Sequence, residues 1–175
     1  MQITYRKLRS DEAKDFRRIR LECLQKSPEV FGTTYEDEVV KPKLYFEELI
    51  EQDTPEVFFF GAFADDELIA IAGFVRGNRT KIRHSGEIAA MYVNPDFRGH
   101  RVGANLLRAL CHEIFTLEGI EQVFLTVIDD NAPAVRLYER IGFEIFGVQK
   151  NYFKLGERYW NRQFMQLMKE KFFEK

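Results

Sequence analysis

An apolar run over residues 88–93 stops at Asn94-Pro95, the polar turn Arg98-Gly99-His100-Arg101-Val102-Gly103-Ala104 follows, and a helical pattern then begins. That succession reads as a strand, an anion-ready loop and a helix. Glycines at such a junction let backbone N–H groups approach an anion with no Cβ in the way, and the helix N-terminus adds partial positive charge. The loop is therefore expected to be a pyrophosphate site, flanked by Arg98 and Arg101.

The remaining elements alternate around that junction. Residues 3–8 read as a short strand, and Ser10 is placed to cap a helix whose apolar face is Ala13, Phe16, Ile19, Cys23 and Leu24. This helix should stop by Lys26, because Ser27 precedes Pro28. Residues 27–38 look like a surface wrap, and a second helix is expected over residues 42–52. Two apolar runs, 57–64 and 68–75, flank Asp65-Asp66 and predict a hairpin. The basic stretch 77–86, with Arg79, Lys81, Arg83 and His84, is read as a solvated loop in preference to a phosphate contact.

After the glycine loop, Val102, Leu106, Leu107, Leu110, Ile114 and Leu117 recur at helical spacing as far as Gly119. A strand over 122–128, a helix over 132–141 closed by Gly142, and strands over 143–148 and 159–168 complete the chain, with a loop between the last two and a frayed tail after Met168. Strands alternating with helices only in the middle, with hairpins on either side, point to a mixed sheet in an α/β architecture.

A chain of 175 residues with 45% hydrophobic content can bury one core and is short for two, so a single domain is expected, with its core at about residues 3–168. A formal net charge of −2 gives no basic excess for nucleic acid or an anionic membrane. Cys23 and Cys111 form no redox or metal spacing with each other or with His84, His100 and His112, so no metal is expected. There is no signal-like or membrane-length apolar run, and the expectation is a cytoplasmic protein.

The loop at Arg98–Ala104 is similar to the acyl-CoA pyrophosphate loop of the Gcn5-related N-acetyltransferase (GNAT) superfamily, Arg/Gln-x-x-Gly-x-Gly/Ala. Arg98, Val102 and Gly103 match, whereas Arg101 stands where that family has its first glycine. A longer segment, Asn131-Ala132-Pro133-Ala134-Val135-Arg136-Leu137-Tyr138-Glu139-Arg140-Ile141-Gly142-Phe143, resembles the family's Asn-x-x-Ala-x-x-Leu-Tyr-x-x-x-Gly-Phe at every defining position. The resemblance covers roughly residues 3–168. It implies a single-domain acyl-CoA N-acyltransferase fold: a mixed, mostly antiparallel sheet with a central splayed parallel strand pair and helices on both faces.

By that resemblance, acetyl-CoA is the co-substrate. The expected cofactor-binding set is Met91, Tyr92 and Val93 at the strand end, the loop Arg98, Gly99, His100, Arg101, Val102, Gly103 and Ala104, and Asn131, Ala134 and Tyr138 on the later helix. Asn131 reads equally as a ligand to the pantetheine arm or a plain N-cap, and Ala134 as room for that arm or a packing contact. Tyr138, at the family's tyrosine position, is the expected acid for the departing thiolate, against an aromatic packed under the cofactor. Glu87 is the expected base, against a strand-end carboxylate facing solvent. The backbone N–H near Val93 is the expected oxyanion donor.

The expected reaction is direct ternary-complex transfer of acetyl to a primary amine, with no acyl-enzyme. Residues 31–51 and 151–160 should contact the acceptor, a small molecule, polyamine or peptide amine; Glu36, Asp37, Glu38, Glu47 and Glu157 are acidic candidates to attract a cation, with ordinary solvated acidic faces the preferred reading. Dimerisation through the final strands is common in the family. A nucleoside triphosphatase is disfavoured because no Gly-Lys-Ser/Thr follows Gly103, and a dinucleotide dehydrogenase because the Gly-x-Gly-x-x-Gly spacing is missing. The alternative of another class is a non-catalytic acyl-CoA-sensing or protein-interaction module on the same fold.

Overall fold

The computed structural model describes residues 2–174. Its seven strands are β1 (Ile3–Lys7), β2 (Val57–Ala64), β3 (Glu67–Arg76), β4 (Ser85–Val93), β5 (Gln122–Ile128), β6 (Glu144–Leu155) and β7 (Arg158–Met168). The helices are α1 (Ala13–Lys26), α2 (Tyr35–Val39), α3 (Tyr45–Gln52), α4 (Val102–Thr116), α5 (Ala132–Ile141) and α6 (Lys169–Phe173). One mixed sheet runs in the order β1-β2-β3-β4-β5-β7-β6. β4 and β5 are parallel, whereas β1–β2, β2–β3, β5–β7 and β6–β7 are antiparallel. The chain forms two compact units, Met1–Val75 with Ala89–Ile114, and Arg76–Ile88 with Phe115–Lys175.

In the first unit β1, β2 and β3 form an antiparallel meander. Asp65 and Asp66 both take positive φ, 46° and 72°, which suits a two-residue hairpin turn between β2 and β3. The apolar face of α1 forms a core with Phe59 and Phe63 of β2, Ile71 of β3 and Tyr92 of β4. Phe16 meets Phe59 edge-on at 4.9 Å between ring centroids. Gly73 in β3 leaves room for that ring: a Cβ there would come within 2.2 Å of it.

Several local expectations are corrected here. Ser10 does not cap α1. It opens a 3-10 turn, and the Glu12 carboxylate accepts from the Arg9 N–H at 2.8 Å while holding both Nη atoms of Arg6 at 2.8 and 2.7 Å. The second helix starts at Tyr45 instead of Pro42, with Glu47 accepting from the Leu44 N–H at 3.0 Å. The surface wrap contains α2, capped by Thr34 through the Asp37 N–H. Glu38 and Glu47 are not solvated acidic faces: both are buried, paired with Lys41 and Arg17 respectively.

In the second unit β5 pairs with β7, and β7 pairs with β6. Val123, Leu125, Val127, Met165 and Leu167 are buried, as are Tyr138 and Ile141 of α5. β6 runs on to Leu155, past the strand end expected at Val148, and the residues expected to form a loop are mostly strand. Asn151, with φ of 53°, marks an irregularity in the β6–β7 register between Gln149 and Phe153. The expected frayed tail is the short helix α6, whose Phe172 ring lies 5.4 Å from that of Phe115. No helix among the described residues is long and apolar enough to cross a membrane.

Candidate active site

The glycine loop lies where the sequence puts it, between β4 and α4. Asn94 closes the strand by accepting from the Asp96 N–H at 2.9 Å, and its own N–H donates to the Ile69 carbonyl at 2.9 Å. Arg98 reaches back to the Val93 carbonyl through Nε at 3.4 Å, linking strand end and loop. Gly99 has φ of 84° with no heavy atom within 4 Å of a Cβ built there. Arg101 has φ of 59°, the left-handed conformation that glycine adopts freely. At the position where the family pattern has its first glycine, Arg101 adopts a φ that glycine adopts freely.

The Arg101 carbonyl accepts the first α-helical bond, from the Asn105 N–H at 3.0 Å. The N–H groups of Val102, Gly103 and Ala104 belong to the first turn, which has no intrahelical acceptors, so they are oriented for an anion beside exposed Arg98, His100 and Arg101. This donor set fits a pyrophosphate.

The strand-end residues differ in what they offer. Met91 and Val93 are half-buried. The Tyr92 side chain is buried and donates to Glu22 Oε1 at 2.9 Å, so only its backbone can serve a ligand. Ala90, at φ of 53°, interrupts the regular pleat just before them.

Asn131 is the N-cap of α5: its Oδ1 accepts from the Ala134 N–H at 3.3 Å, leaving the Nδ2 amide as a donor. The capping role and the ligand role are therefore compatible. Ala134 is half-buried on the first turn of the same helix. Tyr138 is 6% exposed, its ring 6.0 Å edge-on from Phe143, and burial pushes its phenol up to about 12, so it stays protonated near neutral pH. Gly142, at φ of 124°, ends the helix, its N–H donating to the Tyr138 and Glu139 carbonyls.

Glu87 lies in the parallel ladder, opposite Phe124. Its side chain is exposed by area, yet the surrounding protein desolvates the carboxyl and raises its pKa, with the Arg162 charge opposing the shift. A raised carboxylate is the direction a base for an ammonium needs. Burial pushes the thiols of Cys23 and Cys111 up, that of Cys23 to about 11, so neither is a ready nucleophile.

Sequence reasoning missed two features of the second unit. The first is Arg162, whose relation to Glu87 depends on strand register. The second is a latch at the head of α5. Asp129 accepts from the Asn161 N–H at 3.2 Å and from Asn161 Nδ2 at 2.7 Å, while Asp130 accepts from Arg158 Nη2 at 2.5 Å and Trp160 Nε1 at 3.3 Å. Asp129, Asp130, Arg158, Tyr159 and Trp160 line an open recess of about 260 Å³. The adjacent Asp129-Asp130-Asn131 was the available signal.

The sequence model of the acetyltransferase (GNAT) family matches residues 13–143. The chain belongs to the acetyltransferase (GNAT) family. Among solved structures, a GNAT-family acetyltransferase from Streptococcus pneumoniae superposes with a TM-score of 0.85 at 17% identity, over 95% of this chain and 99% of that one. The yncA structure from Salmonella typhimurium, described with its cofactor acetyl-CoA, has a TM-score of 0.77 at 17% identity, over 96% and 94% of the two chains. These likenesses establish a shared fold.

Among sequence relatives, the L-amino acid N-acetyltransferase AaaT of Escherichia coli (strain K12) is 25% identical over 93% of this chain and 97% of its own length. The N-alpha-acetyltransferase RimI of Mycobacterium tuberculosis (strain ATCC 25618 / H37Rv) is 31% identical over 61% of this chain and 64% of its own length. A mycothiol acetyltransferase of Brachybacterium faecium is 34% identical over 49% of this chain. The matched region is 26% of that relative's length. Among the described residues no group of three or more His, Cys, Asp or Glu is arranged to hold a metal ion.

Proposed function

We propose that the whole chain is one N-acetyltransferase domain that moves the acetyl group of acetyl-CoA directly to a primary amine. The observation that carries this reading is the left-handed backbone at Arg101, a conformation open to glycine, at the position where the family motif has its first glycine. Acetyl-CoA supplies an acetyl group activated as a thioester. Val102, Gly103 and Ala104 take the pyrophosphate through backbone N–H groups, with charge from Arg98 and Arg101. The backbone at Met91–Val93 and the Asn131 amide bond the pantetheine arm, and Ala134 leaves space for it.

A free alkylamine has a pKa of about 10.4, so near neutral pH its ammonium proton must be removed before nitrogen can attack. Glu87 accepts that proton, directly or through a water. The amine nitrogen then bonds the acetyl carbonyl carbon while the N–H near Val93 stabilises the charge on oxygen. The carbon–sulfur bond breaks, the thiolate takes its proton from the Tyr138 hydroxyl, and the second proton on the acylated nitrogen returns to the Tyr138 phenolate, leaving a neutral amide. Proton, acyl group and leaving group are thereby accounted for without an acyl-enzyme, in keeping with the inert settings of Cys23 and Cys111.

The relatives are named for different amine acceptors: L-amino acids for AaaT, and spermidine for an enzyme of Thermoplasma acidophilum. The acceptor here is a primary amine of that general kind, and the proposed compartment is the cytoplasm. The test is CoA release from acetyl-CoA across a panel of amino acids, polyamines and peptides. Amine-dependent release with a matching N-acetyl product is expected; acetyl-CoA binding without turnover on any of them would favour the sensing module.

A further inference from the structure

The sheet face that bears Glu87 also bears a cation held ready for an anion. Glu87 is opposite Phe124, Phe124 opposite Gln166, Thr126 opposite Phe164 and Ile128 opposite Arg162. Opposed residues share a face, and residues two apart along a strand return to it. Glu87, Phe124, Thr126, Phe164, Gln166 and Arg162 therefore occupy one face, together with Ile128, which is buried at its Arg162 end. Their alternates Val123, Leu125, Met165 and Leu167 are buried on the other, so the core lies there and the charged face is the open one.

Arg162 is fixed in place. Its guanidinium carbon stands 3.6 Å from the Tyr152 ring centroid and 4.7 Å from that of Phe164, and Nη2 donates to Gln149 Oε1 at 2.8 Å. Its Nε–H is buried with no hydrogen-bond partner among the described residues. The carboxylate whose charge Arg162 acts on is Glu87, with no ion pair between them within 4 Å; Asp129, Asp130 and Glu144 bond other residues. With Nε sealed from solvent and Nη2 taken by Gln149, the stacked guanidinium keeps Nη1 and its full charge for a carboxylate. Strands lie about 4.8 Å apart with a rise of about 3.4 Å per residue, so Glu87 and Arg162 approach through their long side chains and not through their backbones.

We propose that Arg162 binds a carboxylate on the acceptor, so that the preferred acceptor is a free amino acid whose amine is directed to Glu87. The Glu87 carboxylate faces the ammonium and the Arg162 guanidinium faces the carboxylate, matching a zwitterion. A polyamine meets a like charge at Arg162. This assignment rests on the acetyltransferase reading above.

The experiment measures kcat and KM for the full-length chain on matched acceptors: free amino acids, their carboxamides, the corresponding decarboxylated amines, and spermidine. A free amino acid is expected to exceed its decarboxylated amine at least tenfold in kcat/KM. In Arg162→Gln that ratio collapses toward one, mainly through a rise in KM for the amino acid, and Arg162→Lys recovers part of it because charge returns without the guanidinium. Thermal melting of both variants separates lost recognition from lost folding, and the Lys variant reads out even if the Gln variant fails to fold. Equal efficiency on acid and decarboxylated amine, or an equal fall on both in the variants, overturns the assignment while leaving acetyl transfer standing. Failure to acetylate any amine overturns both.

Discussion

At the scale of single residues, the proposed chemistry rests on two side chains in opposite protonation states. Burial keeps the Tyr138 phenol protonated, with its pKa at about 12, so the proton is in place when the thiolate departs. Tyr138→Phe is expected to lower kcat by about 10²-fold, within the usual reach of a general acid, with the acetyl-CoA dissociation constant nearly unchanged; calorimetry and steady-state rates check the split. Glu87 is raised by desolvation against the pull of Arg162, so the acidic limb of kcat/KM should lie above the ordinary carboxylate range. In Glu87→Gln the rate depends on the free amine alone, which becomes abundant only toward pH of about 10. The deficit against wild type is therefore largest at pH 6 to 7, on the order of 10²-fold, and shrinks as pH rises. A deficit that stays flat across the pH–rate profile would count against the base role.

At the scale of elements, α1 is joined to β1 by Glu12, which is buried and bidentate to Arg6. The Arg6 hydrogen bonds hold the Glu12 carboxyl below the usual carboxylate range. A depressed folded-state pKa means the stabilisation is fully present above the ordinary carboxylate value and is lost as pH falls through the depressed one. Glu12→Gln should cost about 1–3 kcal/mol in urea unfolding at pH 7, and the gap to wild type should close in acid. Gly73→Ala forces the Phe59 ring to move from a packed position, an overpacking cost of about 1–3 kcal/mol measurable in the same assay.

The elements also differ in how far the sequence revealed them. α5 was legible to the residue, because Asn131 caps it and Gly142 closes it, both local devices. β6 was legible only to Val148. It is an edge strand, exposed along most of its length, so it shows no apolar face, and Asn151 breaks its alternation. Glu38 and Glu47 read as solvated charges because their burial depends on tertiary packing, in the case of Glu47 on Arg17 thirty positions away. Arg162 could not be read as a partner of Glu87 without the β4–β5–β7 register, which no spacing along the chain encodes.

At the scale of the whole molecule, the family and the mixed sheet followed from two local signatures, the loop at 98–104 and the segment 131–143, whereas the strand order did not. The acceptor did not follow from either, since the proposed contact at Arg162 depends on a register between separate strands. The central claim is direct transfer from acetyl-CoA to an amine, and the measurement closest to it is initial velocity with both substrates varied and products identified by mass. Intersecting reciprocal plots, with one N-acetyl amine formed per CoA released, are predicted. Parallel plots with an acetylated enzyme, or CoA retained with no acetylated amine, would contradict it.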